Sequence, residues 1–280
     1  MILWFGWYGF NGGSAYLHNE DHGDLLAMIA CANTTLAAGA GGLSALFINY
    51  LITRRLDGRG KYDLVSTMNG VLSGLVAVTG SCCLVAPFAA VIIGVIAGGI
   101  YLSASSFLVR NKLDDAVDAM PVHMACGMWG LIATGFFTKP DLLAISFPNN
   151  TELHPGIFYQ VDGKAGDFSL LGTQFIGIVW IMGWVSGTML PFFIFLNSAG
   201  IFRANAIEEV LGLDKAYFGE EQKGDLELAN NDEELEKITK KVEAQIVQRR
   251  REGSSQGYNS HASSRPGEVP MVITGATHED

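Results

Sequence analysis

Apolar residues gather in long blocks along this chain rather than alternating with polar ones. Six blocks stand out, at about residues 1–13, 24–51, 63–83, 86–109, 119–138 and 170–201. A helix needs about 20 predominantly apolar residues to cross a bilayer. The last five blocks therefore read as full spans and the first as a partial one. The pattern predicts an all-α polytopic membrane protein, with residues 1–203 as its membrane body. Glycines punctuate the blocks: Gly39, Gly41, Gly42, Gly70, Gly74, Gly94, Gly98, Gly99, Gly127, Gly130, Gly177, Gly183 and Gly187. Each would cost about 1 kcal/mol inside a soluble helix. Within lipid, small residues let helix backbones approach closely, so the glycines predict tight helix–helix packing.

The pattern changes after Gly219. Residues 220–280 are polar, apart from Leu235, Ile238, Val242 and Ile246, which recur at helical spacing before the arginines at 249–251. A short solvated helix is the favoured reading of that stretch, with a partner-binding or trimer-facing helix as the alternative. From Gly253 onward the Ser, Gly, Pro and Asn content predicts disorder. Residues 204–280 thus form a polar tail. At the other end, Met1 opens inside an apolar stretch with no charged lead and no cleavage-type site. A chain that begins within a helix reads as part of a longer protein.

Charge supports this division. Only 16% of residues are charged, against about 25% in soluble domains. Residues 1–203 carry 12 acidic and 9 basic side chains, and residues 204–280 carry 16 and 9, so most of the net charge of −10 belongs to the tail. An acidic balance gives no reason to expect a nucleic-acid partner. Cys31, Cys82, Cys83 and Cys126 all lie in or beside apolar blocks without metal-type spacing. They read as small buried hydrophobes, and no metal or other cofactor is expected.

Basic residues cluster after alternate spans, which fixes orientation by the positive-inside rule. Arg54, Arg55, Arg59 and Lys61 follow the second span, Arg110 and Lys112 the fourth, and Arg203 the last, while the opposite connections hold only Lys139 and Lys164. The tail is therefore expected in the cytoplasm. The long 139–169 connection is expected outside, where Asn149-Asn150-Thr151 makes Asn149 a glycosylation acceptor.

Candidate chemistry is sparse and correspondingly informative. His123 is the only histidine placed inside a span. An ionisable group at membrane depth is costly and usually faces a bundle interior or a pathway. Imidazole is the cheapest to bury, because its neutral form is accessible near pH 7. Two readings stand: a pathway group that hydrogen-bonds a passing solute, or an interior histidine tying two helices together. Trp4, Phe5, Trp7, Tyr8 and Phe10 crowd the first block just before Ser14. They read as an interfacial aromatic belt or as a cluster that attracts a small cation through its ring faces. Asp114 or Asp115 is expected to cap the start of the His123 helix. Asp118 lies deeper, five residues before His123, so about 7.5 Å along a helix axis.

Several ordered motifs resemble the ammonium transporter (Amt/Mep/Rh) family. The run Leu3-Trp4-Phe5-Gly6-Trp7-Tyr8-Gly9-Phe10-Asn11-Gly12-Gly13-Ser14 is similar to its central-span signature, and Asn33-Thr34-Thr35-Leu36-Ala37-Ala38 to its next span. Residues 69–79 and 114–130 resemble two more, and the similarity extends over about residues 1–219, including Gly212-Leu213-Asp214. The resemblance implies eleven spans, a homotrimer in a bilayer and a cytoplasmic C-terminus, with this chain supplying the last six spans of an Amt-type member. It implies ammonium or ammonia as the transported species and no enzymatic activity. His123 would be the second of a pair of pore histidines. Trp7, Phe10 and Ser14 would belong to an outer recruitment site and aromatic gate. Asp118 matches a buried aspartate and Asn33 a structural polar position. A tail threonine that plant members phosphorylate falls at Ala216 here, so that control is not expected, although a cytoplasmic regulator could act through the tail. The expected location is the plasma membrane. The rival functions are an ammonium sensor of the same fold and a proton-linked transporter of another small solute. The lack of a second charge within these spans disfavours the last.

Overall fold

The computed structural model describes residues 2–19, 21–150, 152–159 and 168–202. The readings of the tail, including residues 212–214, 216 and 232–252, lie outside the described residues.

The described residues form an all-helical structure with a single isolated bridge, between Val85 and Thr138. In chain order the helices are α1 (Ile2–Tyr16), α2 (Gly23–Asp57), α3 (Leu64–Thr79), α4 (Pro87–Arg110), a π-helical segment (Met120–Ala125) that runs into α5 (Cys126–Phe137), α6 (Pro140–Ser146) and α7 (Ser169–Ser198). Four stretches are long and apolar enough to cross a membrane: Gly23–Leu56, Pro87–Arg110, Met120–Phe137 and Ser169–Ser198. Asp63 starts α3 by accepting a hydrogen bond from the Ser66 amide at 2.7 Å. The bonds from Ser66 stabilise the carboxylate and hold its pKa below the ordinary value.

Glycine explains how α2 holds two neighbours at once. Its stripe Ala37–Gly41–Ala45 carries no side chain larger than a methyl. Gly70 and Gly74 of α3 and Gly94 and Gly98 of α4 meet this stripe. A Cβ on Gly74 or Gly94 would overlap the Ala37 carbonyl, and one on Gly98 would overlap Ser44 Oγ and the Gly41 carbonyl. Gly130 of α5 makes the same kind of approach to Ala77 of α3. The core is accordingly rich in small residues, including Ala30, Ala37, Ala45, Ala77, Ala97 and Cys126, packed among larger ones such as Leu26, Ile93 and Phe137. Cys31, Cys82, Cys83 and Cys126 are all free thiols.

The helices depart from the apolar blocks in three places. The third block ran to residue 83, but α3 ends at Thr79, and residues 80–84 form turns. The buried Asn33 amide of α2 holds that turn by donating to the Cys82 and Val85 carbonyls, both at 2.8 Å. The connection after α5 contains α6, begun by Pro140 in its first turn. Finally, Gly39, Gly177, Gly183 and Gly187 face open space. The packing role expected for every glycine therefore does not extend to these positions in the described structure.

The chain divides into two units, Met1–Thr188 and Met189–Asp280, with α7 crossing the boundary. In the first unit α7 buries only Ile178, and Phe175, Ile176, Val179, Trp180 and Trp184 are exposed. In the second unit Phe193 packs its ring against Phe192 and Phe202.

Candidate functional site

His123 occupies the π-helical segment, one turn into the Met120–Phe137 span rather than midway along it, and its side chain is exposed between exposed Met120 and Met124. Single-turn π segments are uncommon and concentrate at functional sites. Here the segment contains Pro121, which has no N–H to contribute to a helical ladder. Pro121 and Val122 are buried, so the segment turns an apolar side inward and presents His123 outward.

Two carboxylates set the entry to this segment. Asp115 accepts from the amides of Ala119 at 2.8 Å and Met120 at 2.7 Å. The capping expected of Asp114 or Asp115 thus falls to Asp115, while Asp114 is exposed. Asp118 has φ 57°, in the left-handed region, where aspartate is tolerated better than most residues. Its carbonyl accepts the Val122 amide at 3.0 Å. Its carboxylate accepts from Tyr101 Oη at 2.9 Å and Ser105 Oγ at 2.9 Å, both on α4, and from Asn69 Nδ2 of α3 at 3.4 Å. Asn69 also donates to Tyr101 Oη at 3.3 Å.

The aromatic group stands elsewhere on the bundle. One side of α1 packs on α2, with Asn11 donating to Thr34 Oγ1 at 2.9 Å and Tyr8 Oη lying 2.8 Å from Thr35 Oγ1. The other side is open: Phe10 is 61% exposed, Ser14 is exposed, and nothing lies within 4 Å of a Cβ placed on Gly6, Gly9 or Gly13. Trp7 is half-buried. Its indole N–H donates to Thr79 Oγ1 at 2.9 Å, and its ring meets Phe10 edge-on at 6.2 Å. Trp7, Phe10 and Ser14 therefore share a helical face, and Trp7 alone is fastened to another helix by its polar atom. Along α3, Thr79 stands ten residues beyond Asn69, or about 15 Å along the axis. The aromatic group and the Asp118 cluster thus touch one helix at points ten residues apart.

Asn33 is fully buried and donates to the two carbonyls of the α3–α4 turn. Asn149 is exposed in the turn after α6. Sequence reading missed Tyr101 and Ser105. The available signal was a hydroxyl pair one turn apart in an otherwise apolar helix.

A densely packed set of apolar helices, several of bilayer length, with one imidazole presented beside a span entry, defines a multi-pass membrane protein. Comparison with known proteins gives its class. The family model described as Ammonium Transporter Family matches residues 1–223. The chain belongs to the ammonium transporter family. "Ammonium transporter 1 member 3" of Solanum lycopersicum is 35% identical over 228 residues, covering 78% of this chain and 47% of that protein. The crystal structure of Candida albicans Mep2 superposes with TM-score 0.61 at 28% identity, over 74% of this chain and 42% of that one. A structure described as a sensor Amt protein superposes with TM-score 0.59 at 30% identity, over 77% of this chain and 47% of that one. The chain thus spans less than half the length of these relatives.

Proposed function

We propose that this chain supplies the last six of eleven spans of an ammonium transporter, assembled as a homotrimer in the plasma membrane with a cytoplasmic C-terminus. The observation that carries the reading is His123, an imidazole one turn inside a span and on a face that its own bundle leaves open. Trp7, Phe10 and Ser14 form the outer recruitment site. Ring faces attract a cation by about 0.5–2 kcal/mol. Trp7 acts through its ring, because its N–H is committed to Thr79.

Selection then follows from desolvation. Ammonium and potassium are alike in charge and size, so a wet pore separates them poorly. An apolar passage disfavours the charged form of any titratable group. Ammonium can release a proton there and potassium cannot. Ammonia then passes along the open face, where the imidazole of His123 offers its ring nitrogens as hydrogen-bond partners. Phe10, exposed beside Trp7, narrows the entrance.

A second reading, an ammonium sensor signalling through its tail, is favoured by the likeness to the sensor Amt structure. Radiolabelled methylammonium uptake separates the two. The gene at full family length, expressed in yeast lacking its own transporters, is expected to raise uptake well above the empty vector. Saturable binding without flux would establish the sensor. Neither binding nor flux would remove ammonium from the account.

A further inference from the structure

The Asp118 cluster lies outside the recruitment site, yet it borders the segment that carries His123. We propose that Tyr101 and Ser105 are positioning residues: through Asp118 they latch the left-handed turn that fixes where His123 stands on the pathway. The functional consequence rests on the pore reading above, whereas the geometric claim stands on the hydrogen bonds themselves.

Asp118 is where the chain turns from the α4–α5 connection into the π-helical segment. Its positive φ is a conformation that L-residues adopt readily only when the surroundings hold them there. Those surroundings are three donors on two other helices. Tyr101 is 2% exposed and directs its hydroxyl at Oδ2, while Ser105, one turn further along α4, directs its own at Oδ1. Two hydroxyls on the two oxygens fix the carboxylate plane as well as its position, and Asn69 of α3 braces both Oδ2 and Tyr101. The backbone carries this constraint forward. The Asp118 carbonyl takes the Val122 amide, and His123 is the next residue. Ordinary helix packing would need neither a positive φ nor a fully occupied carboxylate. A latch needs both.

The test is spectroscopic and uses the whole chain in lipid nanodiscs. Histidine is introduced as the 15N-labelled amino acid, and the His123 signal among the six histidines is identified by its loss in His123→Gln. Tyr101→Phe, Ser105→Ala and Asp118→Ala are each expected to shift or split the His123 resonances while the other histidine signals stay in place. Asp118→Asn keeps an acceptor and a residue that tolerates the left-handed region, so its His123 signal should lie closer to wild type than that of Asp118→Ala. Ser105→Ala removes a single hydroxyl and serves as the arm least able to unfold the bundle. An unmoved His123 signal in the Tyr101→Phe, Ser105→Ala double variant would overturn the proposal. So would a common shift of every histidine signal, or equal shifts in Asp118→Asn and Asp118→Ala. Methylammonium uptake by His123→Ala at full family length decides the pore reading separately. A latched His123 with unchanged uptake would sink that reading and leave the latch standing.

Discussion

Gly98→Val is expected to destabilise the bundle severely, and Gly99→Val, one residue along the same helix, to be almost silent. A Cβ at Gly98 would overlap Ser44 Oγ and the Gly41 carbonyl and crowd the Ala45 amide. Ser44 can rotate away, but the two backbone groups belong to α2 and move only if the helices separate. Overpacking a close contact costs about 1–3 kcal/mol, occasionally more, and the stiff β-branched side chain puts Gly98→Val at the upper end. That is a large share of a typical stability of about 5–15 kcal/mol. At Gly99 the new Cβ would meet only Ile48 Cδ1, at an ordinary 3.7 Å. Thermal unfolding of the detergent-solubilised chain, followed by the loss of helical circular dichroism, reads both variants. Equal melting temperatures would mean that the α2–α4 contact is looser than described.

Asn33 is the second sensitive point, for an electrostatic reason. Its amide is the donor given to the Cys82 and Val85 carbonyls, and it is wholly enclosed. Leaving a buried acceptor unpaired costs about 1–3 kcal/mol. Asn33→Leu strands two of them, so it should be among the most destabilising single changes in α2. Asn33→Asp keeps the shape yet turns an oxygen toward each carbonyl, so it should be worse than Asn33→Leu. Hydrogen exchange at the Leu84 and Val85 amides, which close the same turn onto Ser81, should accelerate in both variants before the rest of the bundle responds. Protection unchanged at those two amides would remove Asn33 from the turn.

The contrast between these sites shows what a linear sequence displays. Lengths of apolar chain are local, and the stretches around α2, α4 and α7 coincide with helices of bilayer length because nothing but hydropathy is needed to read them. The end of α3 is not local. Apolar residues continue through Cys83 to Val85, and the helix stops at Thr79 because an amide from α2 captures the following carbonyls. The short α6 was hidden inside a polar connection, where Pro140 was the only sign of a helix start. Glycine spacing pointed to close packing but could not say which face had a partner. Gly94 and Gly98 meet α2, whereas Gly177, Gly183 and Gly187 meet nothing.

The site divides in the same way. His123 drew attention from the sequence as a lone ionisable group in an apolar run. Its place near the start of the span was legible as well, because the apolar block starts at about residue 119 and the helical segment begins at Met120. Asp118 was legible as a carboxylate too deep to be a simple cap. Its donors, Tyr101 and Ser105, lie 17 and 13 residues earlier, on a helix whose facing side only the fold determines. The role of Trp7 stayed open between belt and binding site, and the bond to Thr79 narrows it to a ring anchored in the bundle.

The central claim is that ammonium crosses past His123, and methylammonium flux through His123→Ala measures it most directly. Uptake is taken at full family length in transporter-deficient yeast and normalised to transporter at the cell surface. With the imidazole gone and the bundle intact, abundance should stay near wild type while uptake per transporter falls at least several-fold or loses its preference over potassium. Normal uptake and normal potassium discrimination at normal abundance would contradict the account and leave His123 a structural residue.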